Sequence, residues 1–345
     1  MKNILIALVS LSLLSSCVSC EASERVPADA GVINVMSYNA ENLFDIFDNP
    51  QKNDDEFTPN GERRWTSRRY WNKLANLSRV VVAVDEDNAP EIIGLCEVEN
   101  DSVLNDLTNR SPLRTIGYSY VFTDSPDERG INVALLYKAR MFRYIAHESI
   151  RVSLKPAGGS PTRDILHVTG MVPSGDTVDL YVCHWPSRIG GVEESEPRRR
   201  IVASVLRTSV NEVLATRVSP FIVIMGDMNE GFAGPSVRET LYAHPLAEAD
   251  GLPDSALVTL MDNVAQGSYK YEGAWDMYDQ FVVSAGFLNG NSSLRALDAR
   301  VCKLDFVLED DDKYGGDKPY RTYDGYRYQD GFSDHLPVAL DILMW

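Results

Sequence analysis

Cysteine is scarce in this chain: five in 345 residues, at positions 17, 20, 96, 183 and 302. They are too few and too scattered to staple a small disulfide scaffold, so the fold must rest on its core. Positive charge is also short, with 33 Lys and Arg against 50 Asp and Glu and a formal net charge of −17. A surface this acidic repels polyphosphates, which excludes a passive nucleic-acid binder that works by counterion release. It does not exclude a phosphoester hydrolase whose site carries cations, because bound metals invert the local field. No stretch rich in Pro, Gly or Ser divides the chain, and no internal repeat is visible. Long apolar runs are missing too: the run from Ile4 to Leu14 is too short to span a bilayer. What is present, 44% hydrophobic and 24% charged residues, is the composition of one folded domain with a large core, placed at residues 32–345.

The first residues read as a leader. Lys2 precedes the apolar run, and "LSSC" ending at Cys17 resembles the lipobox of bacterial lipoproteins. That resemblance implies a signal peptide over residues 1–16, lipid attachment at Cys17, and a polar tether over 17–31. An ordinary secretory signal cut nearby is the alternative, and both export the protein. Without residues 1–16, whose only charge is Lys2, the net charge is −17 − 1 = −18. Cys96 and Cys183 each sit inside an apolar run just before an ionisable residue, so period 2 turns them away from it as small buried hydrophobes.

Further on, elements alternate. Tyr70, Trp71, Leu74, Leu77, Val81 and Val84 follow the helical period behind a cap at Thr66 or Ser67. Ser195 is the expected cap of a second long helix running to about Val218. Apolar runs predict strands at "VINVMSYNAENLF", "EIIGLCEVEN", "INVALLYK", "DILHVTGMV", "VDLYVCHWPS", "PFIVIMGDMNE", "YDQFVVS", "KLDFVLE" and the final "LPVALDIL". Strands in runs with at least two long helices imply helices outside layered sheets. Residues 309–331 read as a long loop, either functional or plain surface.

Polar residues stand at the ends of the apolar runs. Asn39 follows "INVMSY", Glu97 follows "IIGLC", His184 follows "LYVC", and Asp227 and Asn229 follow "IVIMG". Rigid strand ends fix the geometry of a site while loops admit a substrate. The oxygen donors among them suit Mg²⁺, Mn²⁺ or Ca²⁺ better than zinc. Each has a bland reading when taken alone: Asn39, Asp227 and Asn229 as turn residues, Glu97 as an acid ending a strand, His184 as a packed core histidine. Ser333, Asp334 and His335, side by side before the last strand, form either a turn or part of the same site.

Seven segments in order, "MSYNAENL", "IIGLCEVEN", "INVALLYK", "YVCHWPSR", "IVIMGDMNE", "YDQFVVS" and "GFSDHLPV", resemble the endonuclease/exonuclease/phosphatase superfamily across residues 33 to 343. The resemblance implies an α/β (α+β type) fold, a four-layer α/β/β/α sandwich of two mostly antiparallel sheets flanked by helices. It implies Mg²⁺ or Mn²⁺, with Ca²⁺ admitted, held by Asn39, Glu97 and Asp334. It implies His335 as the acid/base at the attacking water, Asp227 and Asn229 positioning the nucleophile and a phosphoryl oxygen, and His184 on the phosphate. Asp279 is favoured as the carboxylate behind the catalytic histidine, with Asp276 and Asp305 competing. Arg129, Asn132 and Arg188 are candidate substrate contacts; a surface arginine beside Asp127 and Glu128 is the other reading of Arg129.

The substrate stays open. A nuclease would need a basic groove, which Arg63, Arg64, Arg68, Arg69 and Arg188 are placed to supply. A phosphodiesterase or phosphatase acting on small molecules or lipid headgroups suits the acidic surface and the membrane tether. A surface binding lipoprotein without activity is the third alternative. A monomer with no obligate protein partner, lipid-anchored at the cell envelope, is expected.

Overall fold

The structure, a computed structural model, describes residues 31–85 and 88–345. The leader, Cys17 and most of the tether lie outside the described residues. Two sheets dominate, and each is built around a parallel pair. The first runs, in spatial order, Leu294–Val301, Val338–Met344, Gly31–Leu43, Ile92–Val98, Asn132–Lys138, Tyr118–Phe122. Gly31–Leu43 and Ile92–Val98 are parallel, and the other neighbours are antiparallel. The second runs Arg143–Ile150, Ile165–Met171, Thr177–His184, Phe221–Asp227, Asp279–Ser284, Leu257–Thr259, Ala243–Pro245. Here Thr177–His184 is parallel to Phe221–Asp227.

Parallel neighbours cannot be joined by a tight turn and need a crossover, usually a helix. Ser67–Ala83 and Val192–Leu214 are those two crossovers. Each covers the outer face of its own sheet, which gives four layers and three cores. Period 2 sorts the strand residues among them. Met36, Tyr38, Ile93 and Leu95 pack outward with Tyr70, Leu74, Leu77 and Val81 of the first helix. Ile33, Val35, Val223, Met225, Phe281 and Val283 meet between the sheets. Tyr181, Cys183, Ile222 and Ile224 pack under Val202, Leu206 and Val210 of the second helix. Cys96 falls in the middle core and Cys183 in the outer one, both buried and free.

Three sequence expectations need correction. Ser195 is not the helix cap: the helix starts at Val192 and ends at Leu214. The Ser195 hydroxyl donates back to the Gly191 carbonyl at 2.6 Å and accepts from Arg199 at 2.8 Å, which suits a position inside the first turns. "KLDFVLE" is a 3-10 turn, Asp305–Val307, followed by the short strand Leu308–Asp310; its apolar residues are too few to form a buried face. Residues 309–331 are not a structureless loop, because Leu308–Asp310 pairs with Asp317–Pro319 and Tyr323–Asp324 with Arg327–Tyr328. The strand Arg143–Ile150 escapes sequence reading because it is an exposed edge without an apolar face.

Candidate active site

The alternation that builds the middle core also aims the polar strand ends. Val182, Met225 and Phe281 point between the sheets, so two residues onward or back along the same strands His184, Asp227 and Asp279 do so too. The register then lines them up: His184 lies opposite Asp227, and Asp227 opposite Asp279. Gly226 lets the two parallel strands close at this point. With φ of 132°, a Cβ there would lie 1.9 Å from the Cys183 carbonyl oxygen.

The first sheet contributes from the other side. Asn39 follows Tyr38 and so faces inward. Glu97 would by strict alternation face the helix, but the register shifts between Cys96 and Val98 and Glu97 adopts φ of 61°. That bulge re-aims the carboxylate toward the cleft. Its Oε2 accepts from the Asn42 backbone at 2.8 Å, and Oε1 lies 3.8 Å from His184 Nε2. The Asn39 amide donates to Asp227 Oδ2 at 3.2 Å.

Entry to the last strand brings the third contribution. The Ser333 hydroxyl donates to the Asn39 carbonyl at 2.7 Å and accepts from the His335 backbone at 3.1 Å. The turn at Ser333 therefore clamps the final strand onto the first. His335 Nδ1 sits 2.7 Å from Asp279 Oδ2, and Nε2 lies 3.6 Å from Asp227 Oδ2. Of the three aspartates, Asp279 is the one in contact with His335; Asp276 accepts from the Tyr278 hydroxyl, and Asp305 opens a 3-10 turn. Asp334 accepts from Arg321 at 3.0 Å, and Arg321 also reaches Glu41, which faces the buried Lys73.

Charge placement separates the two histidines. Burial by itself lowers the His335 pKa, but Asp279 and Asp227 outweigh it and hold the imidazole well above its ordinary value. Burial, with the guanidinium groups of Arg163 and Arg129, pushes His184 well below it. Burial raises the Asp227 carboxyl to about 6, opposed by His335 and reinforced by Asp279 and Glu97. Asn229, at φ of 48°, donates its backbone N–H to Asp227 Oδ1 at 2.8 Å and its side-chain amide to the Trp185 carbonyl at 3.0 Å.

Asn39, Glu97, His184, Asp227, Asn229, Asp334 and His335 line a cleft of about 880 Å³, together with Arg129, Arg163, Arg188, Arg198, Tyr269 and Tyr278. Asn132, expected at the substrate, is not part of the lining. Its amide donates to the Glu99 carbonyl at 2.7 Å and its Oδ1 accepts from Ser125, so it braces a loop. Of the basic residues proposed for a groove, only Arg188 lines the cleft. Arg63 lies over Phe57, Tyr323 and Tyr326, and Arg69 over Tyr328. Arg198 belongs to the basic cluster "PRRR" at residues 197–200, which the sequence offers as a contact for an anionic substrate; sequence reading missed Arg163 and Tyr269, whose ring lies 4.8 Å from that of His335. Neither of these two stands at the end of an apolar run, so nothing local marks them.

The donor set bears on a metal. Among the described residues no three His, Cys, Asp or Glu side chains form a cage for an ion. Glu97, with the oxygens of Asn39 and Asp334 near the same cleft, is instead a sparse, hard set. Mg²⁺ is typically held by one or two carboxylates and completed by waters and substrate phosphate, so the residues fit a hard dication of that kind.

The family model described as the Endonuclease/Exonuclease/phosphatase family matches residues 34–343. No curated protein sequence matches. Among solved structures, a Bacteroides thetaiotaomicron protein described as an endonuclease/exonuclease/phosphatase family protein is similar at TM-score 0.55 and 15% identity, covering 92% of this chain and 99% of that one. A mannosyl-6-phosphatase from Bacteroides thetaiotaomicron VPI-5482 is similar at TM-score 0.53 and 16% identity, over 90% and 99%. D. rerio TDP2 complexed with a single-strand DNA product is similar at TM-score 0.54 and 13% identity, over 90% and 98%. At these identities the likeness is one of fold.

Proposed function

The chain belongs to the endonuclease/exonuclease/phosphatase family, and we propose that it is a divalent-metal-dependent phosphoester hydrolase working by in-line attack of water at phosphorus. The observation that carries this reading is one shared oxygen. Asp227 Oδ2 lies within 3.6 Å of both the Asp279-paired His335 and the neutral His184, beside the hard donors of Glu97 and Asn39. A mannosyl-6-phosphatase and a protein complexed with a single-strand DNA product, both similar in fold, agree with phosphoester chemistry.

Glu97, with Asn39 and Asp334 beside it, would hold a dication, which when bound would supply Lewis-acid polarisation of a phosphoryl oxygen. Asp227, ionised near neutrality with a pKa of about 6, takes the proton of the attacking water, since a base poised near the working pH is the effective one. His335, kept protonated by Asp279, donates to the charge that grows on the phosphoryl group, and His184 offers a second N–H. In this reading the base is Asp227, where the family resemblance implies His335. Of the substrate readings, a compact phosphoester is favoured over a polymer, because Arg63 and Arg69 are stacked away from the cleft. Export and lipid attachment at Cys17 complete the proposal; palmitate labelling lost in Cys17→Ser tests them.

The decisive assay incubates the protein with Mg²⁺ or Mn²⁺ and p-nitrophenyl phosphate, bis(p-nitrophenyl) phosphate and plasmid DNA. The expected result is turnover of a small phosphoester that EDTA abolishes and Glu97→Gln lowers by about a hundredfold or more. Metal-independent turnover, or none on any phosphoester, overturns the reading.

A further inference from the structure

The cleft has two banks of opposite sign, and the chemistry above uses only the acidic one. The other carries Arg129, Arg163, Arg188 and Arg198, in a chain whose net charge is −17. Asp127 is the carboxylate that answers them, and it is shared: Arg129 lies 3.7 Å and Arg163 3.3 Å from its two oxygens. Arg188 is positioned by the Asn229 carbonyl at 2.9 Å and by the ring of Tyr278 at 4.6 Å, neither of which neutralises it. Among the described residues no carboxylate pairs with Arg198, and its buried Nε has no partner. Arg163 is only 7% exposed, and its Nε is likewise unpartnered. Four cations with one carboxylate in direct contact, and with the buried Nε of Arg163 and Arg198 left open, are costly unless an anion arrives to meet them.

Position extends the point. Arg163 and Arg129 lie close enough to His184 to depress its basicity, so the bank begins beside the reacting phosphorus. It continues to Arg198, which packs near Gly159 on the loop that bears Leu154. Leu154, Pro161 and Ile189 line the same wall with apolar surface, suited to a carbon skeleton joining two charged ends. The cleft's volume of about 880 Å³ falls in the range that holds a small molecule.

Resting on the hydrolase reading above, we propose that this arginine bank binds a second anionic group of the substrate. The preferred substrate is then a small molecule that carries a phosphate, or a group of equal charge, besides the phosphoester being cleaved. Arginine suits this task because its planar fork meets phosphate oxygens two at a time.

Two measurements test it. The first compares kcat/KM, with saturating Mg²⁺, for glucose 1,6-bisphosphate, glucose 6-phosphate and a short single-stranded oligonucleotide, in wild type, Arg198→Gln and Arg163→Lys. The expected result is at least a tenfold preference for the bisphosphate, expressed mainly in KM, that shrinks at least tenfold in Arg198→Gln. Equal use of mono- and bisphosphate, or a preference indifferent to both substitutions, overturns the proposal. A preference for the oligonucleotide overturns the small-molecule assignment and makes the bank part of a polymer track. The second measurement is calorimetric binding of inorganic phosphate to metal-free protein, where the acidic bank repels the ligand. Binding weakened at least fivefold in Arg198→Gln supports the bank even if no phosphoester tried is hydrolysed, which would sink only the hydrolase reading. Absence of binding in the wild type counts against the bank itself.

Discussion

Replacing Asp279 by Asn removes one charge from the centre of the site and leaves its shape. The carboxylate is fully buried, one oxygen lies 2.7 Å from His335 Nδ1, and the other has no partner. A hydrogen bond to a charged group contributes about 1.5–3 kcal/mol. At tenfold per 1.36 kcal/mol, its loss from the transition state predicts a fall in kcat of about 10- to 150-fold. The loss is incomplete because Asp227 still faces the imidazole at 3.6 Å. Without Asp279 the imidazolium deprotonates more readily, so the alkaline limb of the pH profile moves to lower pH. The measurement is kcat on a chromogenic phosphodiester at saturating metal, with a thermal melt to confirm folding, in wild type, Asp279→Asn, His335→Asn and the double variant. The two residues act as one unit, so Asp279→Asn should cost little in the His335→Asn background. A single variant within threefold of wild type, or an equal cost in both backgrounds, refutes the reasoning.

Other perturbations probe the scaffold. Gly226→Ala places a Cβ 1.9 Å from the Cys183 carbonyl oxygen and forces apart the strands that present His184 and Asp227; a loss of about 4 kcal/mol or more in urea unfolding is expected, together with activity. Asp179 lies far from the cleft between His167, Thr169 and Arg217. Burial alone would raise its pKa, yet those hydrogen bonds lower it from 3.8 to about 2. A depressed carboxylate stabilises the fold above its unfolded pKa and loses that contribution as pH falls through the folded one. The difference in unfolding free energy between wild type and Asp179→Asn should therefore be about 2 kcal/mol at pH 7 and shrink between pH 4 and 2. A difference that stays constant across that window contradicts the assignment.

Much of the scaffold was legible because strand and helix periods depend on near neighbours. The apolar runs containing Met36, Val223 and Phe281 alternate between two faces, and the helix from Ser67 shows its buried stripe in the spacing of Tyr70, Leu74, Leu77 and Val81. Weakly patterned elements were lost for the same reason. Arg143–Ile150 has no apolar face to betray it, and "KLDFVLE" mimics a strand over a stretch too short to form one. Among site residues, those ending apolar runs and Arg198, in the cluster Pro197 to Arg200, could be singled out, whereas Arg163 could not, since an irregular loop gives an arginine no distinguishing neighbours. Asn132 stands at the start of a strand, unlike the residues that follow apolar runs, and its amide is consumed by the loop it braces.

From the sequence alone it follows that Asn39, Glu97, His184 and Asp227 stand at the ends of apolar runs; a carboxylate behind a histidine is what the family resemblance implies. Tertiary structure alone decided that Asp279 is the aspartate beside His335, how the bulge turns Glu97 into the cleft, and that four arginines line it with Asp127 shared between two of them. The division has a physical cause. Which face a side chain takes is settled within a few bonds of backbone, but contact between residues 39 and 227, or 279 and 335, depends on strand register and on how two sheets close, which no local pattern encodes.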